Sequence, residues 1–149
     1  KPLCRSVQEF IAGPGAMGRE ALSRGAERAF CVENDRRALT ALLANFHDCG
    51  WEVRCTVYPR DDTVQPAARA TPATLVFLAP PYHEHLPGTA LAALKARGWI
   101  APNAIAVIET GRDEPLPFAN DTEDAPACPH ELLAERQHGA ARLSIWRLA

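Results

Sequence analysis

The chain has 149 residues, 47% of them hydrophobic and 23% charged, which fits one domain with one filled core and excludes a disordered chain. The formal net charge of -2 argues against tight, purely electrostatic nucleic-acid binding, although it still allows a local basic patch. No apolar run approaches the ~18 residues of a membrane span, and no signal peptide is visible at the start. The five cysteines (Cys4, Cys31, Cys49, Cys55 and Cys128) form no C-x-x-C pair. Reduced thiols in a cytosolic protein are therefore expected, without a zinc site or a disulfide framework.

Residues 6–12 read as a short strand, which Gly13-Pro14-Gly15 cannot continue. Residues 16–24 read as a helix with Ala16, Met17, Ala21 and Leu22 on one face, closed by Gly25. Residues 28–33 form a second strand. Asn34 or Asp35 can cap a helix over 36–49, which carries Leu39, Leu42, Leu43 and Phe46 at helical spacing and stops at Gly50. A third strand is expected over 52–58. Residues 59–73 hold three prolines and read as loop or weak helix.

The run Thr74-Leu75-Val76-Phe77-Leu78 is apolar almost throughout, as expected of a strand buried on both faces. Pro80 and Pro81 break it. A helix follows over 88–97 and another buried strand over 104–109. Residues 111–130 contain four prolines and five acidic residues and read as an exposed loop. Residues 132–138 and 141–147 are strand-like and meet at Gly139-Ala140, which predicts a hairpin with one antiparallel strand at the sheet edge. Strands alternating with helices imply a mostly parallel α/β sheet with right-handed crossovers.

Gly13-Pro14-Gly15-Ala16-Met17-Gly18 fits G-x-G-x-x-G and lies between a strand and a helix, the context the motif requires. The first glycine permits the tight turn and the second lets backbone approach a ligand. The helix N-terminus offers N–H groups and a positive dipole end to a carboxylate or phosphate. Glu33 follows Gly15 by 18 residues, at the tip of the next strand, where a carboxylate can accept hydrogen bonds from ribose hydroxyls. Both an NAD-type cofactor and S-adenosylmethionine fit this arrangement, and the glycines do not choose between them.

Ala79-Pro80-Pro81-Tyr82 stands at the tip of the fourth strand, where open α/β sheets bind ligands. The prolines fix a rigid bend with free carbonyls, and Tyr82 offers a flat face for a base to stack on. Such parts suit an enzyme that draws out a nucleobase and holds it beside a methyl donor.

The chain resembles the bacterial small-subunit ribosomal RNA guanine-N2 methyltransferase family from about residue 7 to the end. The resemblance rests on several runs: Ala12-Gly13-Pro14-Gly15-Ala16-Met17-Gly18, Glu20-Ala21-Leu22-Ser23-Arg24-Gly25-Ala26, Val32-Glu33-Asn34-Asp35, Phe77-Leu78-Ala79-Pro80-Pro81-Tyr82 and Gly98-Trp99-Ile100-Ala101-Pro102. The ending from Glu135 to Leu143 adds to it. It implies a Rossmann-like class I methyltransferase fold, a seven-stranded and mostly parallel sheet with an antiparallel C-terminal hairpin.

It also implies methyl transfer from S-adenosylmethionine to guanine N2, with ribosomal RNA or the small ribosomal subunit as partner, and a cytoplasmic monomer without metal. On this resemblance Glu9, Ala12, Gly13, Gly15, Ala16, Gly18, Glu33, Asn34 and Thr56 are the cofactor-binding positions. Ala79, Pro80, Pro81 and Tyr82 are the catalytic ones. In such enzymes the first tetrapeptide side chain and the first proline carbonyl accept hydrogen bonds from the target amine, so that rate comes largely from orientation.

Several positions depart from the pattern. Ala79 stands for Asp or Asn and cannot accept a hydrogen bond. Glu9 stands for Asp, Thr56 for an Asp near the adenine, and Pro14 for a common Ser. Only about six residues precede the first strand, where relatives carry a longer segment. A methyltransferase-like binding domain without catalysis is thus a second expectation, and an NAD-type oxidoreductase a third. His83 and His85 flank Glu84, too few ligands for a metal site. Cys31 lies inside a strand and makes a poor nucleophile. Arg136, Arg142 and Arg147 on the hairpin are either phosphate contacts or solvated charges.

Overall fold

The computed structural model describes residues 6–10, 16–33, 35–58, 72–79, 87–118 and 130–149. Along the chain come β1 (Ser6–Phe10), α1 (Ala16–Ser23), β2 (Arg28–Val32), α2 (Arg36–Asp48), β3 (Cys55–Tyr58), β4 (Ala73–Leu78), α3 (Pro87–Ala96), β5 (Ile100–Gly111), β6 (His130–His138) and β7 (Ala141–Leu148). The seven strands form one sheet in the order β3-β2-β1-β4-β5-β7-β6. The pairs from β3 to β5 are parallel, and β7 runs antiparallel to both of its neighbours. The strand order reverses at β1, which lies between β2 and β4. A crevice beyond the carboxyl ends is expected there.

Helix ends follow local chemistry. Asp35 caps α2, its Oδ1 accepting the Ala38 N–H at 2.8 Å and satisfying one orphan donor of the first turn. Gly25 (φ 102°) ends α1, with the Ala26 N–H on the Ala21 carbonyl at 3.0 Å. Gly50 (φ 70°) ends α2, with the Trp51 N–H on the Phe46 carbonyl at 3.0 Å. Both glycines take the left-handed conformation that closes a helix and that side chains disfavour.

Among the described residues, two cores lie on opposite faces of the sheet. Leu22, Leu42 and Phe46 from α1 and α2 pack with Ala29 and Cys31, and with the partly buried Leu75 and Phe77. Leu91 and Leu94 from α3 pack with Val32, Val76, Leu78, Ala106, Ile108, Trp146 and Leu148. Alternate residues of each strand therefore serve opposite layers.

The third strand begins at Cys55 rather than 52, because 52–54 form a turn in which the Arg54 N–H bonds the Trp51 carbonyl at 2.9 Å. The fifth is longer than expected. Ile100 adds a rung opposite Ala73, an irregularity follows with Asn103 at φ 60°, and the ladder resumes at Leu75–Ile105.

The hairpin forms at Gly139-Ala140, but its antiparallel strand does not sit at the edge. β7 lies inside, between β5 and β6. Its alternate residues Arg142, Ser144, Trp146 and Leu148 are buried, whereas β6 is exposed almost throughout. The strand with the core-forming pattern takes the inner place.

Candidate functional site

The carboxyl edge of the parallel strands is built by register. Phe10 pairs with Val32 on one side and Leu78 on the other, and Leu78 pairs with Ile108. Glu33, Ala79 and Glu109 therefore each stand one residue past the same rung. Val32, Leu78 and Ile108 belong to the core under α3. Side chains alternate along a strand, so these three positions fall on the opposite face, the one that α1 and α2 cover. One line of residues thus crosses β2, β4 and β5 at the edge where the strand order reverses.

Glu33 is 5% exposed. Its Oε1 accepts the Asp35 N–H at 3.0 Å, a hydrogen bond that fixes the carboxylate direction. Asp35 in turn starts α2, so the strand tip and the helix cap are locked as one unit. Ala79 follows β4 directly and is exposed. Its methyl group offers no donor or acceptor.

Other expected positions are placed as follows. Glu9 lies in β1, paired with Cys31 and Phe77, and Ala16 is the first residue of α1. Gly18 is buried within α1. Ala12, Gly13, Gly15, Asn34, Pro80, Pro81 and Tyr82 lie outside the described residues, as do His83 and His85. The structure does not bring Thr56 to the edge. It pairs with Phe30, three residues before the Glu33 level. Its strand neighbours Cys55 and Val57 pack toward α1 and α2, so alternation turns Thr56 to the other face.

The hairpin arginines divide. Arg142 is neither a phosphate contact nor a solvated charge. It is 8% exposed, and its Nη2 donates to the Thr110 hydroxyl at 3.3 Å and to the Glu114 carbonyl at 2.6 Å. Arg136 and Arg147 are exposed. The Arg142 bonds tie the turn after β5 to the hairpin. The Arg112 N–H on the Ala140 carbonyl at 2.8 Å adds to this tie, and the Gly111 N–H on Glu114 Oε2 at 2.9 Å closes the turn itself. Among the described residues, no group of three or more His, Cys, Asp or Glu can hold a metal ion. No described helix is long and apolar enough to cross a membrane.

Sequence reasoning took Glu109 only as the end of a buried strand. The available signal was its position, a carboxylate closing an apolar run at the ligand edge.

The family described as "Conserved hypothetical protein 95" matches residues 4–146. The ribosomal RNA small subunit methyltransferase D of Haemophilus influenzae is 32% identical over 109 residues, covering 71% of this chain and 56% of the relative. The enzyme of the same name from Escherichia coli K12 is also 32% identical, over 73% of this chain and 54% of the relative. The chain thus spans a little over half the length of these curated relatives. A crystal structure from Haemophilus influenzae, named provisionally as a methylase, superposes with a TM-score of 0.77 at 28% identity, over 99% of this chain and 88% of that one. Sequence and fold agree, and the chain belongs to the family of the ribosomal RNA small subunit methyltransferases D.

Proposed function

We propose that this domain binds S-adenosylmethionine and transfers its methyl group to the N2 amine of a guanine in small-subunit ribosomal RNA. The observation that carries the reading is the placement of Glu33. It is a buried, hydrogen-bonded carboxylate at the tip of β2, next in the sheet to β1, and β1 is followed in sequence by the glycine run. A carboxylate held there fits the vicinal hydroxyls of a ribose, because it accepts and a diol donates. Glycine turns of this kind also serve nicotinamide cofactors. The relatives' names, ribosomal RNA methyltransferases, favour the methyl donor.

In this reading Glu33 holds the ribose, with Glu9, Ala12 and Asn34 beside it. The turn from Gly13 through Gly15 and Ala16 to Gly18 presents N–H groups to the donor's carboxylate. Bound there, S-adenosylmethionine supplies an electrophilic methyl group. The chain's own part at the other end of the edge is positioning. The Pro80 carbonyl accepts from the target amine, Tyr82 stacks on the extruded base, and Pro81 holds the bend between them.

The exposed Ala79 favours a second reading, a domain that keeps the donor and has lost turnover. Calorimetric titration with S-adenosylmethionine, followed by transfer from the labelled donor to unmodified small ribosomal subunits, separates the two. Binding with turnover supports the enzyme. Binding without turnover that appears in Ala79→Asp supports the disabled site. A chain that binds no donor overturns both.

A further inference from the structure

We propose that Glu109 supplies the hydrogen-bond acceptor that Ala79 lacks and holds the exocyclic amine of the target guanine. This rests on the reading above, in which that amine is methylated at the tip of β4.

Leu78 and Ile108 are paired across β4 and β5, so Ala79 and Glu109 are the next residues on each strand. Both fall on the face opposite the α3 core. Neighbouring strands lie ~4.8 Å apart, a gap that two methylenes and a carboxylate can bridge. Ala79 leaves space in that direction because its side chain ends at Cβ. An acceptor lost from one strand is thus replaced from the adjacent one, along the same line of residues that holds Glu33.

The backbone under Glu109 is fixed. Glu109 opposes Leu143 in the β5–β7 ladder. Just beyond it, the Thr110 hydroxyl and the Glu114 carbonyl both take Arg142 Nη2, and the Arg112 N–H binds the Ala140 carbonyl. A group carried on so braced a strand end meets the requirement for orienting an amine. Glu109 is half-buried, so part of its surface meets solvent.

The test uses the full chain, labelled S-adenosylmethionine and unmodified small ribosomal subunits. The proteins are the natural sequence, E109A, E109Q, A79D and A79D/E109A. Turnover, calorimetric donor affinity and melting are measured on each. The proposal expects E109A to lower kcat by roughly 10–100-fold, the effect of one lost hydrogen bond in the transition state. Donor affinity stays within about twofold and the fold is intact. E109Q, which keeps an oxygen acceptor, retains most of the turnover, and A79D restores it in the E109A background.

Turnover in E109A equal to the natural sequence overturns the proposal and leaves the methyltransferase reading standing. So does a loss in E109A that tracks melting or donor affinity and is not rescued by A79D, since that marks a structural role. A natural sequence without turnover beside an active A79D also overturns it, and identifies the disabled site. If neither the natural sequence nor A79D transfers methyl, the methyltransferase reading fails and takes this proposal with it.

Discussion

The Glu33 carboxylate is held by the backbone N–H of Asp35, two residues further on, at 3.0 Å. That bond turns a strand-end side chain into a fixed acceptor. On the proposed function, Glu33→Ala is expected to weaken S-adenosylmethionine binding by roughly 10–100-fold, the equivalent of about 1.5–3 kcal/mol for a hydrogen bond to a charged group. Calorimetry reads the change directly. Glu33→Gln keeps one acceptor oxygen and should fall between the two. Unchanged affinity in Glu33→Ala would remove the ribose from this position.

Asp35 has a separate duty as the cap of α2. Its Oδ1 accepts the Ala38 N–H at 2.8 Å. Asp35→Ala should cost ~1 kcal/mol, a fall of about 2–4 °C in melting temperature for a chain of this size. Asp35→Asn and Asp35→Ser keep a capping oxygen and should melt within about a degree of the natural sequence. Equal loss in all three would mean that the cap bond does not stabilise the helix.

Elements with strong periodicity were legible in the sequence, because their pattern is set by burial on one face. The α2 stripe through Leu42 and Phe46, the β4 run and the glycine ends at Gly25 and Gly50 all emerge from local chemistry alone. The expected carboxylate at Glu33 also stands at the carboxyl edge, because strand length and alternation fix it. Features that depend on tertiary pairing were not legible. Nothing local distinguishes an inner β7 from an edge β7, since the choice depends on which hairpin strand better fills the space beside β5. Arg142 reads as a surface charge in sequence, yet Thr110 and the Glu114 carbonyl receive it in the interior. Thr56 lay near the expected site in sequence but on the other face in register. The adjacency of Ala79 and Glu109 needs the β4–β5 register, which no local signal specifies.

Arg142 gives a prediction that separates burial from RNA contact. Replacement by Met keeps the apolar stem and removes the donors to Thr110 and Glu114. The variant should lose about 2 kcal/mol, or ~4–8 °C in melting temperature. If the domain binds small-subunit RNA as proposed, the salt dependence of that binding should not change, because a buried guanidinium releases no counterions. A phosphate-contacting arginine would instead lower the logarithmic salt slope by about one. A flatter slope in Arg142→Met would restore the phosphate role that the structure denies it.

Arg54 ties the start of β3 to the end of α1. Its Nη2 donates to the Leu22 carbonyl at 3.3 Å and to the Ala26 carbonyl, its Nε reaches the Glu27 carbonyl at 3.4 Å, and its guanidinium lies 5.7 Å from the Trp51 ring centre. A cation at these carbonyls complements the negative end of the helix. The nearby Arg24–Glu20 pair is also close, but its side chains are 77% and 57% exposed, and such pairs contribute about 0.3–0.5 kcal/mol at most. Arg54→Met should therefore lower the melting temperature by several degrees, on the scale of 1–3 kcal/mol, whereas Arg24→Ala should move it by about a degree. Two of the Arg54 acceptors are neutral carbonyls of the buried Leu22 and Ala26, so its loss should persist at high salt. The small Arg24 effect should vanish there, because exposed charges are screened. Thermal melts of both variants at low and high ionic strength check this. An Arg54→Met shift that disappears with added salt would show that the residue acts as a surface charge rather than as the clasp between strand and helix.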